Sequence, residues 1–331
     1  MMEFTSRSIL EYARLGMRKA FGLYMIDLVS HNENIIVMAA DISSSSNLGE
    51  LKERFPEQFI NVGIAEQNMA GIASGLAKEG FNVFIVSFAP FVTMRDYEAI
   101  RTLIGYMHLN VKIVALASGF TLGVQGNTHY SLEDLSLFRT IPGMKIFSPA
   151  DIVEEERCLE YLANYEGPAF LRLTGIDGSS AHFKSDYVLS EDGISAVRAE
   201  NGKVVILSTG SLLSECIRSV RLLKKSGIIC DVYNFCRLKP LNVDRIIELL
   251  QRYDLVFTIE EHFRTGGFGS AICEIACDSG VPRPRITRLG INDEFPHAST
   301  YKDLLSVSGL NAESIARAVI DNMSSEEGAP K

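Results

Sequence analysis

The sequence predicts an α/β fold built as two successive domains, each a parallel sheet covered by helices. Three observations predict it. Short apolar, β-branched runs recur along the 331 residues, amphipathic stretches at helical spacing separate them, and a Gly-, Ser- and Asp-rich segment after residue 175 interrupts the alternation once. Strands that are apolar on both faces, each followed by a helix, are those of a parallel sheet covered on both sides.

The elements follow in order. A helix is expected over roughly 8–30, then a buried strand at Ile35–Ala40 and a short one around Phe59, Ile60 and Val62. Residues 66–79 read as a helix, because Met69, Ala70, Ile72, Ala73, Leu76 and Ala77 share one face and Gly80 stands at the usual left-handed stop. Strands at Val83–Val86, Val111–Leu116, Met144–Phe147 and Ala169–Leu173 alternate with helices near 93–107, 133–140 and 151–164. Residues 1–175 form the first domain and 176–200 a linker. The second domain, 201–323, has strands at Lys203–Ser208, Cys230–Asn234 and Leu255–Ile259 and helices near 211–226, 242–252 and 267–279. The last residues, 324–331, read as a frayed, disordered tail.

Composition narrows the function. A net charge of −9 and the lack of a basic stripe argue against a nucleic-acid surface. No apolar run is long enough to span a membrane, and the N-terminus lacks the basic flank and apolar core of a signal peptide. Six scattered cysteines without a CxxC pair read as reduced thiols in a cytoplasmic protein rather than a zinc site.

The most informative segment is Val62-Gly63-Ile64-Ala65-Glu66-Gln67-Asn68-Met69, which places a carboxylate at the mouth of a helix directly after a strand. Downstream come Ser87-Phe88-Ala89-Pro90-Phe91, Gly126-Asn127-Thr128-His129, Leu132-Glu133-Asp134 and Arg139-Thr140-Ile141-Pro142-Gly143-Met144. In this order the motifs resemble the pyrimidine-binding half of transketolases and related thiamine diphosphate enzymes. Ser208-Thr209-Gly210-Ser211 and Glu260-Glu261-His262-Phe263-Arg264-Thr265-Gly266-Gly267-Phe268-Gly269 resemble the C-terminal domain of the same family. That family's diphosphate-binding domain carries a Gly-Asp-Gly motif, and none occurs here; the nearest string, Glu191-Asp192-Gly193, falls in the linker. The resemblance therefore implies the C-terminal subunit of a split transketolase. An N-terminal partner subunit would supply the diphosphate and Mg²⁺ ligands, with two copies of each chain in the assembly.

The resemblance also implies roles. Glu66 falls where the family places the carboxyl that contacts the far nitrogen of the cofactor's pyrimidine and drives its activating tautomer shift. Phe88 and Phe91 match aromatics that bed the pyrimidine, and Asp41 matches an Asp near the thiazolium. His129 matches a His that reaches substrate hydroxyls, and Gln125 stands where many transketolases carry an Asp that reads a donor hydroxyl. Arg18 and Ser45 match substrate-phosphate ligands, with a register uncertain by one in the serine run. Two further family phosphate ligands are missing: Ala117 replaces a His, and Thr174 or Gly175 replaces an Arg, for which Arg172 is a candidate substitute. The thin phosphate set suggests a non-standard acceptor. A deoxyxylulose-phosphate synthase-like activity, a 2-oxoacid dehydrogenase beta-like subunit and a non-catalytic partner subunit remain open alternatives.

Overall fold

A computed structural model describes residues 6–178, 180, 182–280 and 284–327. The first domain opens with α1 (Ser6–Leu15) and α2 (Met17–His31), two helices where the sequence suggested one. Gly16 makes the break: its φ is +74°, and its carbonyl accepts the N–H groups of Lys19 and Ala20 to start α2. Then follow β1 (Ile35–Ala39), α3 (Leu48–Arg54), β2 (Phe59–Asn61), α4 (Glu66–Lys78) and β3 (Asn82–Phe88). The expected helix near 93–107 is a short α5 (Tyr97–Ala99) between two wider π-helical stretches, Phe91–Arg95 and Ile100–Gly105. β4 (Val111–Leu116), α6 (Asp134–Arg139), β5 (Lys145–Phe147), α7 (Ile152–Asn164) and β6 (Ala169–Arg172) complete the domain.

The segment read as a linker is partly structured. It ends in β7 (Ile194–Arg198), an edge strand paired antiparallel with β9. Earlier in it, the N–H groups of His182 and Phe183 donate to Asp151, the residue whose side chain also caps α7 through Val153 and Glu154. The second domain contains β8 (Val204–Ser208), α8 (Leu213–Lys225), β9 (Cys230–Phe235), β10 (Arg237–Lys239), α9 (Val243–Arg252), β11 (Leu255–Phe263), α10 (Phe268–Asp278), β12 (Arg285–Ile291), α11 (Tyr301–Val307) and α12 (Ala312–Glu327). The stretch expected to fray from Ser324 begins inside α12, which continues to Glu327, and residues 328–331 lie outside the described residues.

Two sheets result. The first has seven strands in the order β10–β5–β6–β4–β3–β1–β2, and the second has five in the order β12–β11–β8–β9–β7. β10 belongs by sequence to the second domain but pairs antiparallel with β5 of the first. One sheet thus extends across the boundary, and a continuous apolar core runs from Ile85 and Ile113 through Phe170 to Phe235 and Phe268.

A buried polar network reinforces this junction. Arg172 is 1% exposed and makes 2.9 Å contacts to both oxygens of Asp134, itself fully buried. The same guanidinium donates to the carbonyls of Ser131 (3.3 Å) and Glu261 (2.8 Å). Buried and bonded within the fold through Nε and Nη2, Arg172 does not stand in for the missing phosphate ligand. Glu261 accepts from the Phe120 N–H (2.6 Å), the Tyr301 hydroxyl (2.7 Å) and Ser211 Oγ (3.3 Å). Burial pushes its carboxyl up, and these donors oppose the shift. Gly119 gives the close approach: with φ +67°, a Cβ there would sit 2.3 Å from Glu261 Oε1.

Replacing Arg172 with Leu leaves Asp134 as an uncompensated buried charge. The expected loss is about 3–5 kcal/mol, measured as the unfolding free energy of the full chain in urea. A variant as stable as the parent would show that the pair does not hold the junction.

Candidate functional site

The site is built where the first sheet's strands β1, β2 and β3 end. Asn61, the last residue of β2, sends its side-chain oxygen to two backbone N–H groups, those of Asp41 (3.1 Å) and Gly63 (3.0 Å). This one side chain ties the loop after β1 to the turn that enters α4. Gly63 has φ +71° and Asp41 φ +56°, so both ends of the bridge lie in the left-handed region, which an Asp tolerates better than most residues. Asp41 is exposed. α4 then starts at Glu66 with no side-chain cap from Ala65. Its unpaired N–H groups and the dipole favour an anion there.

Glu66 is 4% exposed. Its Oε2 accepts from Arg95 Nη1 at 3.1 Å, and Oε1 has no hydrogen-bond partner among the described residues. The Arg95 guanidinium also lies 4.5 Å from the centre of the Phe91 ring, a cation–π contact. Phe91 meets Phe88 edge-on at 6.5 Å and His129 edge-on at 5.5 Å. The His129 Nδ1 pairs with Thr128 Oγ1 at 2.9 Å, so Nε2 has no partner among the described residues. A carboxylate, a cation, two half-buried aromatic rings and an imidazole therefore form one continuous cluster. Pro90 and the π-helical turn at Phe91–Arg95 bring Phe91 and Arg95 onto the same side, against α4.

His129 and Gln125 share a loop that the second domain braces. Asn127 donates to the Pro296 carbonyl (2.8 Å), and the Tyr130 hydroxyl donates to the Gly123 carbonyl (2.7 Å) and the His297 carbonyl (3.2 Å). Gln125 is exposed in a single 3-10 turn, Gly123–Gln125.

The expected phosphate residues lie apart from this cluster. Arg18 is 3.9 Å from Asp177, which Lys19 also contacts at 2.5 Å. Ser45 Oγ donates to the Ile42 carbonyl, and so does the fully buried Ser46. Burial removes Ser46 as a ligand and leaves Ser45 as the more accessible neighbour. α2 closes on this loop at Gly22, where a Cβ would meet the Ser46 carbonyl at 2.3 Å, and Asn47 donates to the Lys19 carbonyl. Ala117 is buried, and Thr174 Oγ1 accepts the Ser211 N–H, so neither position offers a replacement ligand.

Sequence reasoning missed Arg95 and Asp96. Arg95 lies four residues after Phe91, a spacing that puts both on one side of a helical turn, but nothing local names Glu66 as its partner. Asp96 is fully buried, and neither carboxylate oxygen has a hydrogen-bond partner among the described residues. Burial and then the nearby Glu66 charge push its carboxyl up to about 7, with Arg95 opposing. Among the described residues no group of three or more His, Cys, Asp and Glu side chains could hold a metal ion, and no helix is long and apolar enough to cross a membrane.

Comparison with known proteins identifies the two domains. Residues 13–177 match the pyrimidine-binding domain of transketolase, and residues 193–315 match the transketolase C-terminal domain. The chain is 35% identical to a Methanocaldococcus jannaschii protein named as a transketolase C-terminal section, over 94% of this chain and 97% of that one. It is 30% identical to a 6-deoxy-6-sulfo-D-fructose transketolase subunit of a Clostridium species, over 91% and 92% of the two chains. Among solved structures it resembles a split-gene transketolase in an inactive beta4 tetramer, with a TM-score of 0.81 and 33% identity over 92% of this chain and 97% of the other. The chain belongs to the transketolase family and carries its pyrimidine-binding and C-terminal domains.

Proposed function

We propose that this chain is the pyrimidine-side subunit of a split transketolase, which transfers a two-carbon ketol unit between sugars. The observation that carries the reading is Glu66: a nearly buried carboxylate at a helix N-terminus, held through one oxygen by Arg95 and unpartnered at the other, beside Phe88, Phe91 and His129. A flat aminopyrimidine needs an apolar aromatic wall and one carboxyl at its ring nitrogen, and these residues fit it. Thiamine diphosphate, when bound, supplies the nucleophilic carbon that accepts and passes on the ketol unit.

The chain's own residues then have distinct tasks. Glu66 Oε1 holds or gives up a proton at the pyrimidine ring, while Arg95 fixes Oε2 and with it the plane of the carboxyl. Phe88 and Phe91 hold the ring's orientation and exclude water from one side. Asp41, tethered through Asn61, sits at the cofactor's edge. His129 meets substrate hydroxyls through Nε2 and stabilises negative charge developing on oxygen. Gln125 faces the donor as a neutral amide. Arg18 and Ser45 form a spare anion site, with Arg18 partly engaged by Asp177.

That thin anion site supports a non-standard acceptor. The name of the 6-deoxy-6-sulfo-D-fructose transketolase subunit is consistent with this, since that relative is named for a sulfonated sugar. The structural relative is titled an inactive tetramer of beta chains alone, which supports dependence on an N-terminal partner carrying the diphosphate and Mg²⁺ ligands, in an assembly of two copies of each chain. The six cysteines, four of them buried, accord with a reducing, cytoplasmic setting.

The test is ketol transfer from hydroxypyruvate by this chain co-expressed with its N-terminal partner, with thiamine diphosphate and Mg²⁺. Activity is expected only with the partner. Glu66→Ala is expected to lower kcat by about 10²–10⁴-fold, and His129→Ala by about 10²-fold. A folded complex that turns over pyruvate but not hydroxypyruvate would move the reading to a synthase-like activity. In an acceptor panel, sugars lacking a terminal phosphate are expected to react at least as well as ribose 5-phosphate. A strong preference for ribose 5-phosphate would remove the non-standard acceptor.

A further inference from the structure

Among the described residues of the site, Asp96 is a buried titratable group that the proposed mechanism leaves without a task. It sits at the joint between the π-helical turn Phe91–Arg95 and α5, packed toward α4. Its backbone carbonyl accepts the Ile100 N–H, but its side chain caps nothing. Both carboxylate oxygens are sealed from solvent and without a donor. The charged groups that act on it are Glu66 on α4 and Arg95 on its own turn.

Charge balance around this corner is simple. One cation, Arg95, faces two carboxyl groups, and it bonds Glu66 at 3.1 Å rather than Asp96. A buried carboxylate with neither donor nor counter-ion is costly, whereas the neutral acid is far less so. The lowest-energy arrangement is therefore an ionic Glu66–Arg95 pair with a protonated Asp96 behind it. Ionising Asp96 would set a second anion against the same cation and draw Arg95 away from Glu66 Oε2.

We propose that Asp96 is a positioning residue for Glu66: kept neutral, it leaves Arg95 committed to the Glu66 carboxylate, and its ionisation unsettles that pair. The inference rests on the assigned role of Glu66 for its catalytic consequence, but not for its electrostatic one. No bond other than the Asp96 O–H changes, and the proton goes to solvent as the pH rises.

The first arm uses the full chain without cofactor. A carboxyl raised in the folded state keeps a proton that the unfolded chain has lost, so it costs stability as pH rises from its ordinary value near 3.8 toward about 7. Asp96→Asn cannot pay that cost. Its Tm relative to the parent is expected to be several degrees more favourable at about pH 8 than at about pH 5. In the Glu66→Gln background, where one of the two carboxylates is gone, the same comparison is expected to give a smaller difference. An Asp96→Asn offset equal at both pH values, or one unchanged by Glu66→Gln, overturns the proposal whether or not the complex transfers ketol units. The second arm uses the assembled complex. The ratio of Asp96→Asn to parent kcat is expected to rise about tenfold between about pH 7 and about pH 8.5, because the variant lacks the ionisation that unsettles Glu66. A ratio constant across that range, with the stability arm as expected, overturns the link to Glu66 alone.

Discussion

The buried pair of Arg172 and Asp134 is the constraint on which the rest of the molecule depends. An arginine at the end of a central strand is costly to bury, and the cost is offset by four contacts of the guanidinium: Nε to both oxygens of Asp134, and Nη2 to two backbone carbonyls, one of them Glu261's. Of these contacts, the one to the Glu261 carbonyl crosses from the first domain to the second. It places Glu261 against the Phe120 N–H, and so holds the start of the loop that carries Gln125 and His129. Without the second domain this loop would have neither Glu261 nor the carbonyls of Pro296 and His297 to define it. The second domain, which contributes nothing to the Glu66 cluster itself, thus sets where the imidazole stands.

The Glu66 corner follows from a different physical economy. A helix that begins with a carboxylate and no side-chain cap offers its N–H groups and dipole to that anion. Arg95 adds a real charge from the adjoining π-helical turn and lies on the Phe91 ring as well, so the cation orders a carboxylate and an aromatic wall together. A wider π turn shifts which residues face α4, which puts Arg95 there and buries Asp96 directly behind it. Two carboxyl groups near one cation form an arrangement in which protonation and geometry are coupled.

The anion site tells a contrasting story. Its residues are present but already engaged within the chain: Arg18 near Asp177, Ser45 on the Ile42 carbonyl, Arg172 wholly internal. Positions 117 and 174 have been given over to packing and to the interdomain contact with Ser211. In the proposed reading the carboxylate corner is intact while the phosphate grip is reduced, which would separate the chemistry from the choice of sugar.

Most of the fold was legible from the chain because it rests on local rules. Apolar β-branched runs and helical spacing located β1, β3, β4, β8, β9, α4, α7 and α9 to within a residue or two, and the start of β11, which runs four residues further than expected, since burial on both faces leaves a strand no alternative pattern. The family motifs around Glu66, Phe88 and Phe91 singled out residues that the structure brings into one cluster. Other features were decided only by tertiary structure. β7 and β10 are short edge strands whose pairing comes from distant partners, and Arg95, Asp96 and Asn61 acquire meaning from residues 20 to 30 positions away. Arg172 read as a candidate phosphate ligand, and only its burial against Asp134 showed it to be internal. Periodicity encodes which side of an element faces the core; which charge meets which is set by how separate elements pack, and that information is not local in the sequence.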